Sequence, residues 1–149
     1  MDTLLAVLTT NQKGAIAEAA IALEAAKLGI GVYRPLGDER YDLILDVRPR
    51  LLRVQCKWAR RSKDVILVPL YSARRAREGL RRTFYSSDEV DAFAAYSDAT
   101  NRCYFFGFED LAASEMRLRI GPTRNNQAKR VRWAKDYEFA ARLTALVGR

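Results

Sequence analysis

Two runs of alternating residues, over 41–47 and 51–58, stand either side of Arg48-Pro49-Arg50 and leave the chain little freedom in how it folds. In the first, Leu43, Leu45 and Val47 alternate with Asp42, Ile44 and Asp46. In the second, Leu52, Val54, Cys56 and Trp58 alternate with Arg53, Gln55 and Lys57. A period of two places successive side chains on opposite faces of a strand, so each run is a strand with one apolar face. The proline turns the chain between them, and an antiparallel hairpin follows. A turn centred on Pro49 pairs residues whose numbers sum to about 98. Asp42 therefore lies opposite position 55, 56 or 57, according to loop length and any bulge.

A sheet with one apolar face needs a cover, and residues 12–29 supply a helix. Asn11 is a candidate N-cap, Ile16, Ala20, Leu23 and Ala26 or Lys27 recur at helical spacing, and Gly29 ends the run. Its many alanines let it lie close against a sheet. Short strands are expected over 32–34 and 65–69, and a basic helix over 72–82 carrying Arg74, Arg75, Arg77, Arg81 and Arg82. Strands follow over 91–96 and 103–108, a helical turn over 108–113 and an edge strand over 116–120. A polar loop over 121–129 and a closing helix over 131–147 complete the chain. With 149 residues and neither repeats nor linkers, the expectation is one mixed α/β domain over 1–149, of which 117–149 form a basic loop and helix.

The chain contains no histidine. That removes Ser-His-Asp and Cys-His nucleophile pairs, the HExxH zinc site and histidine-based nuclease centres. No GxxxxGK[ST] phosphate loop occurs. Cys56 and Cys103 sit in strand-like segments and read as two buried reduced thiols of a cytosolic protein. No apolar stretch is long enough to span a membrane, so a cytoplasmic location, compatible with association with the nucleoid, is expected. Catalysis has to come from carboxylates, amides, lysines and a metal.

Charge is arranged in blocks. Lys and Arg against Asp and Glu number 4 to 7 over 1–47, 12 to 2 over 48–82, 1 to 7 over 83–116 and 9 to 2 over 117–149, for a net +8. Concentrated positive charge suits a polyphosphate, because each phosphate neutralised releases counterions. Double-stranded DNA is the expected partner. Arg60, Arg61 and Lys63 leave the second strand of the hairpin and are placed to hold its backbone. Lys13, Arg74 and Arg75 are further candidates. Arg124, Asn125, Asn126, Lys129 and Arg130 mix phosphate-binding cations with amides that can read base edges. Lys13, the 74–82 cluster and the 124–130 run can equally be solvated surface, whereas the position of the 60–63 block favours function. Phe105, Phe106 and Phe108 read as core before a stacking platform.

If Asp42 shares a face with Gln55 and Lys57, three polar groups meet on an otherwise apolar sheet, an arrangement that costs stability and so has a use. Glu18 joins them if the alanine-rich helix packs across that face. Asp46 points the same way as Asp42, and Arg53 is an alternative ion-pair partner for it. Hydrolysing a phosphodiester needs a cation on the phosphate, an activated water and charge stabilisation in the transition state. Asp42 can bind a metal directly, Glu18 directly or through water, and the Cys56 main-chain carbonyl adds a neutral oxygen. Such ligands favour Mg²⁺ or Mn²⁺ over Zn²⁺. Lys57 can position the attacking water or help deprotonate it.

These elements resemble the PD-(D/E)XK nucleases, whose αβββαβ core has a mixed central sheet flanked by helices. The matching residues are Glu18 in Lys13-Gly14-Ala15-Ile16-Ala17-Glu18, Asp42 in Arg40-Tyr41-Asp42-Leu43-Ile44, and Gln55-Cys56-Lys57. The likeness is closest to the group I intron homing endonucleases and more distant to archaeal Holliday junction resolvases. Tyr85 and the strand over 91–96 belong to it, and it spans about residues 12–110. It implies a divalent-metal-dependent DNA endonuclease in which Glu18, Asp42, Gln55 and Cys56 surround Mg²⁺ or Mn²⁺ beside Lys57. Gln55 stands where the family's second acid usually is. The homing-endonuclease branch accepts that glutamine, though a neutral amide binds Mg²⁺ more weakly than a carboxylate does. Small domains with one site need two copies to cut both strands, which implies a homodimer or higher homo-oligomer. A structure-selective resolvase and a non-catalytic nucleic-acid-binding module on the same fold are the alternatives. Gly29-Ile30-Gly31-Val32-Tyr33 resembles the start of a GIY-YIG nuclease, but the rest of that motif is missing.

Overall fold

The computed structural model of the protein describes residues 7–123 and 130–147. Helix α1 (Thr10–Lys27) is followed by strands β1 (Gly31–Tyr33), β2 (Leu43–Val47) and β3 (Arg50–Trp58). Then come β4 (Arg60–Ser62), β5 (Val65–Pro69), β6 (Tyr71–Ala76) and β7 (Gly79–Phe84). Strands β8 (Ala92–Ser97), β9 (Arg102–Gly107) and β10 (Glu115–Arg119) precede helix α2 (Phe139–Val147). Single 3₁₀ turns occupy Phe108–Asp110 and Ala134–Tyr137. No helix among the described residues is long and apolar enough to cross a membrane.

The central sheet runs β1-β2-β3-β8-β9, antiparallel except where β3 and β8 lie parallel. One face packs on the helices. Leu43, Leu45, Leu52, Val54 and Phe105 meet Ile21 and Ala25 of α1 and Phe139 and Leu143 of α2. The other face carries Phe93, Ala95, Tyr104 and Phe106 against Ile66, Val68, Met116 and Leu118 of a small sheet ordered β10-β5-β4. Both helices thus cover the same face, and a second sheet covers the other. Each large apolar side chain buried in these layers contributes about 2 kcal/mol.

Helix α1 begins earlier than its apolar spacing suggests. Thr9, rather than Asn11, is the N-cap: its hydroxyl accepts from the Gln12 N–H at 3.1 Å, and the Gln12 side chain accepts from the Thr9 N–H at 2.8 Å. Gly29 ends the turn as expected, at φ +76°, a conformation that side chains disfavour.

Two expected helices differ. Residues 72–82 form no helix: β6 and β7 pair as an antiparallel two-stranded ribbon. The segment's apolar residues at helical spacing, Ala73, Ala76 and Leu80, are too few and too small to hold a helix against the core. Its ends instead pair Tyr71 with Phe84, ring centroids 5.7 Å apart, and its tip turns at Gly79, φ +112°. The connection from β3 to its parallel neighbour β8 is therefore made of strands β4–β7. The closing helix is shorter than expected over 131–147. Arg119 N–H donates to the Arg132 carbonyl at 2.8 Å and Trp133 bridges Arg119, so this stretch is extended and α2 starts only at Phe139.

Candidate active site

The site grows from the place where β2 stops and β3 continues. A two-residue Arg48-Pro49 loop, its peptide bond cis, sets Val47 opposite Arg50 and Leu43 opposite Val54. Regular pairing ends at Leu43 and Val54, and Asp42 N–H donates to the same Val54 carbonyl at 2.9 Å, one residue short of the positions 55 to 57 that alternation allowed. Beyond Val54, β3 has a strand on one side only. Alternate residues of a strand direct their N–H and C=O to the same side. Cys56 therefore points its backbone toward the side β2 has left. Its N–H donates to Asp42 Oδ2 at 2.9 Å, and its carbonyl faces the same way.

Gln55 and Lys57 project from the face opposite α1. Gln55 is 8% exposed, and its Nε2 donates to the Arg40 carbonyl at 2.7 Å and to the Tyr85 hydroxyl at 2.8 Å. A carbonyl only accepts, so Arg40 fixes which end of the amide is nitrogen. Gln55 Oε1 is left without a donor among the described residues. Lys57 Nζ donates to the Tyr71 carbonyl at 2.8 Å and to the Tyr85 hydroxyl at 3.4 Å. Tyr85 is held in turn by edge-on packing against Phe93 and by the Arg40 guanidinium 4.0 Å above its ring.

Burial dominates the electrostatics. It pushes the Lys57 ammonium down to about 8, the neighbouring Arg40 adding to the drop and Asp42 opposing it. It pushes the Asp42 carboxyl up; the Cys56 N–H works against this, and the charge of Glu18 reinforces it. Glu18 thus acts on Asp42, but not from the expected direction. Helix α1 packs on the face bearing Leu43 and Val54, so Glu18 approaches from the opposite side of the sheet to Gln55 and Lys57. Its Oε1 lies 3.3 Å from Arg34 Nη1. Arg53 does not pair with Asp46; it grips Asp91, Nη2 to Oδ1 at 2.9 Å, and ties β3 to the start of β8.

The groups available to a metal are all oxygens: Asp42 and Glu18 carboxylates, Gln55 Oε1 and the Cys56 carbonyl. Among the described residues no three His, Cys, Asp or Glu side chains gather to hold an ion. An Asp42 carboxyl whose proton affinity is raised by burial and by the charge of Glu18 is relieved by a cation, and hard oxygen donors suit Mg²⁺ or Mn²⁺. The Cys56 thiol is no competitor, since burial pushes it well up; Cys103 is pushed up to about 12.

The expected DNA-contacting residues are scattered. Lys13 Nζ lies 5.9 Å from the Trp58 ring centroid. Arg60 and Arg61 are exposed, on the short edge strand β4 and not in a loop, and Lys63 follows in a left-handed turn. Arg74 and Arg75 are exposed on β6, and Arg130 is exposed. Arg124, Asn125, Asn126 and Lys129 lie outside the described residues. Phe105 and Phe106 are core, and Phe108 packs on Phe93. The sequence gives Arg40 no part in the site and marks Tyr85 only as belonging to the family likeness, with no contact assigned to it. The position of Arg40 two residues before Asp42 was its only signal.

An acid on the first helix, an acid where one strand begins and Gln-x-Lys on the next, around a mixed sheet, define a class of phosphodiesterase site. The model of the PD-(D/E)XK endonuclease family matches residues 8–140, and the chain belongs to that family. Among solved structures it is similar to a bacterial homing endonuclease, I-Ssp6803I, at 32% identity and a TM-score of 0.76, over 95% of this chain and 96% of that one. No curated protein matches. The resemblance carried by Glu18, Asp42 and Gln55-Cys56-Lys57 is to the homing-endonuclease-like branch of this family.

Proposed function

We propose that the protein is a Mg²⁺- or Mn²⁺-dependent endodeoxyribonuclease that cuts double-stranded DNA in the manner of a homing endonuclease. The observation that supports this is Asp42 held by the Cys56 N–H between Gln55 and Lys57 of β3, its carboxyl buried and acted on by the charges of Glu18 and Lys57. The bound ion supplies Lewis-acid charge to the phosphate and acidifies a water. Asp42 and Glu18 hold that ion, with the Gln55 and Cys56 oxygens as neutral ligands. Lys57, kept dry beside them, orients the attacking water and takes part in its deprotonation. Arg40 and Tyr85 keep Gln55 and Lys57 aimed.

One such unit carries one site, so cutting both strands takes a homodimer or higher homo-oligomer, read by sedimentation with DNA present. The test of catalysis is digestion of supercoiled plasmid with Mg²⁺, Mn²⁺ or EDTA. Nicking with either ion, lost in EDTA and in Asp42→Ala, is the expected result. No nicking of plasmid or of a four-way junction with either ion overturns it and leaves a DNA-binding module. Cutting confined to the junction assigns the same chemistry to a resolvase.

A further inference from the structure

Cross-strand pairing sorts the arginines of the β6–β7 ribbon onto two faces. Residues directly opposite share a face. Arg75 lies on the face of the Tyr71–Phe84 pair, and Arg82 is stacked there on the Tyr71 ring at 4.6 Å. The other face carries Arg74 opposite Arg81 and Ser72 opposite Thr83. With Arg40, that second face lines a groove of about 340 Å³. Three guanidinium groups and two hydroxyls face it, and no carboxylate lines it.

Arg74 and Arg81 are direct cross-strand partners, and like charges so placed weaken a ribbon. Neither forms an ion pair among the described residues. A pairing that costs stability and has no internal partner fits an anion from outside. Arginine and hydroxyl side chains suit phosphate oxygens, to which most protein–DNA hydrogen bonds go, and arginine can also read guanine edges, so duplexes of different sequence separate the two. The groove's inner end is Arg40, whose main-chain carbonyl receives Gln55 and whose guanidinium donates to the Thr83 and Phe84 carbonyls at 3.5 and 3.4 Å. Arg40 is thus common to the groove and the candidate active site.

We infer that this face of the ribbon is the track for the phosphodiester backbone of duplex DNA leaving the scissile phosphate, held by Arg40, Arg74 and Arg81, while Arg75 and Arg82 face away. The choice of ligand rests on the nuclease reading above. The test is equilibrium binding of the full chain in EDTA to two short duplexes of unrelated sequence across a salt series. Arg74→Ala and Arg81→Ala should each weaken binding about tenfold near ~0.1 M salt, equally on both duplexes, with the log–log salt slope shallower by about 0.9. Arg75→Ala, which removes the same charge one residue away, leaves affinity and slope close to wild type, and Arg74→Lys keeps the slope. Equal damage from Arg75→Ala, a loss confined to one duplex, or an unchanged slope in Arg74→Ala overturns the assignment. Binding in EDTA is read apart from cleavage. A protein that nicks plasmid but ignores Arg74 and Arg81 refutes the groove alone. One that binds through them without nicking refutes the catalytic reading alone.

Discussion

The molecule contains two antiparallel hairpins of similar length with opposite surroundings. Strands β2 and β3 close on Arg48-Pro49, and their Leu43, Leu45 and Val54 are wholly buried. Strands β6 and β7 close on Arg77-Glu78, and every residue of β7 is exposed. The buried hairpin can hold a lysine and a carboxylate away from water, which gives those groups perturbed proton affinities. The exposed one can do nothing of the kind, but it leaves its arginines open to solvent. The two meet where Lys57 Nζ reaches the Tyr71 carbonyl at 2.8 Å. On the proposed reading one hairpin serves chemistry and the other holding, with Lys57 at their junction.

Lys57→Ala breaks that junction from the chemical side and should have the largest effect. Cleavage of plasmid by the Mg²⁺-loaded protein should fall roughly a thousandfold, the scale of a lost proton-transfer or charge-stabilising group. Duplex binding in EDTA should change little; a parallel loss of both would mean that Lys57 matters chiefly as the anchor of the ribbon. Next in size is the contrast in packing. Leu45→Ala should cost about 3 kcal/mol in urea unfolding, because a wholly buried side chain leaves a cavity. Leu80→Ala, on the exposed ribbon, should stay within about 0.5 kcal/mol. Equal costs would show that the ribbon packs against something in solution and that the contrast is false.

Tyr85→Phe sharpens the comparison with a smaller change. The phenol ring stays on Phe93, but the hydroxyl that receives Gln55 and Lys57 is gone. Cleavage at saturating Mg²⁺ should fall about tenfold, the size of one hydrogen bond to a charged group. The Mg²⁺ concentration for half-maximal rate should rise, because Gln55 Oε1 is no longer held in place. Purely structural damage would lower the melting temperature without moving that metal dependence.

The buried hairpin was legible because burial writes itself into a strand as alternation, and β5 at Val65–Pro69 was legible from its apolar run. Register stayed open among three positions, since alternation does not encode loop length. The ribbon was not legible. A hairpin exposed on both faces has no burial period, and its arginines read equally well as a basic helix; only Gly79 and the flanking Tyr71 and Phe84 hinted at a turn between strands. Glu18, Asp42, Gln55 and Lys57 could be picked out by residue type and order, but the face from which Glu18 approaches could not. Arg40 was hidden for another reason. What it offers Gln55 is a main-chain carbonyl, which every residue carries, so no side-chain pattern marks it.

The smallest expected effect concerns stability in the metal-free state. Burial raises the folded-state pKa of Asp42 above its unfolded value, with Glu18 adding to the rise. Between those two values the folded chain binds a proton that the unfolded chain does not, so stability falls as pH rises through the window. At neutral pH the metal-free fold carries that penalty in full. Asp42→Asn removes the charge and keeps an oxygen for the Cys56 N–H, so in EDTA at neutral pH it should be more stable than wild type by about 1 kcal/mol. The advantage should vanish below the unfolded carboxylate range, where Asp42 is protonated in both states. Mg²⁺ or Mn²⁺ should raise the melting temperature of wild type more than that of the variant, because only the carboxylate gains from the ion. A variant less stable than wild type at every pH would mean that Asp42 is simply a strand cap for Cys56. The difference between the two hairpins would then be one of burial alone, with no chemical purpose behind it.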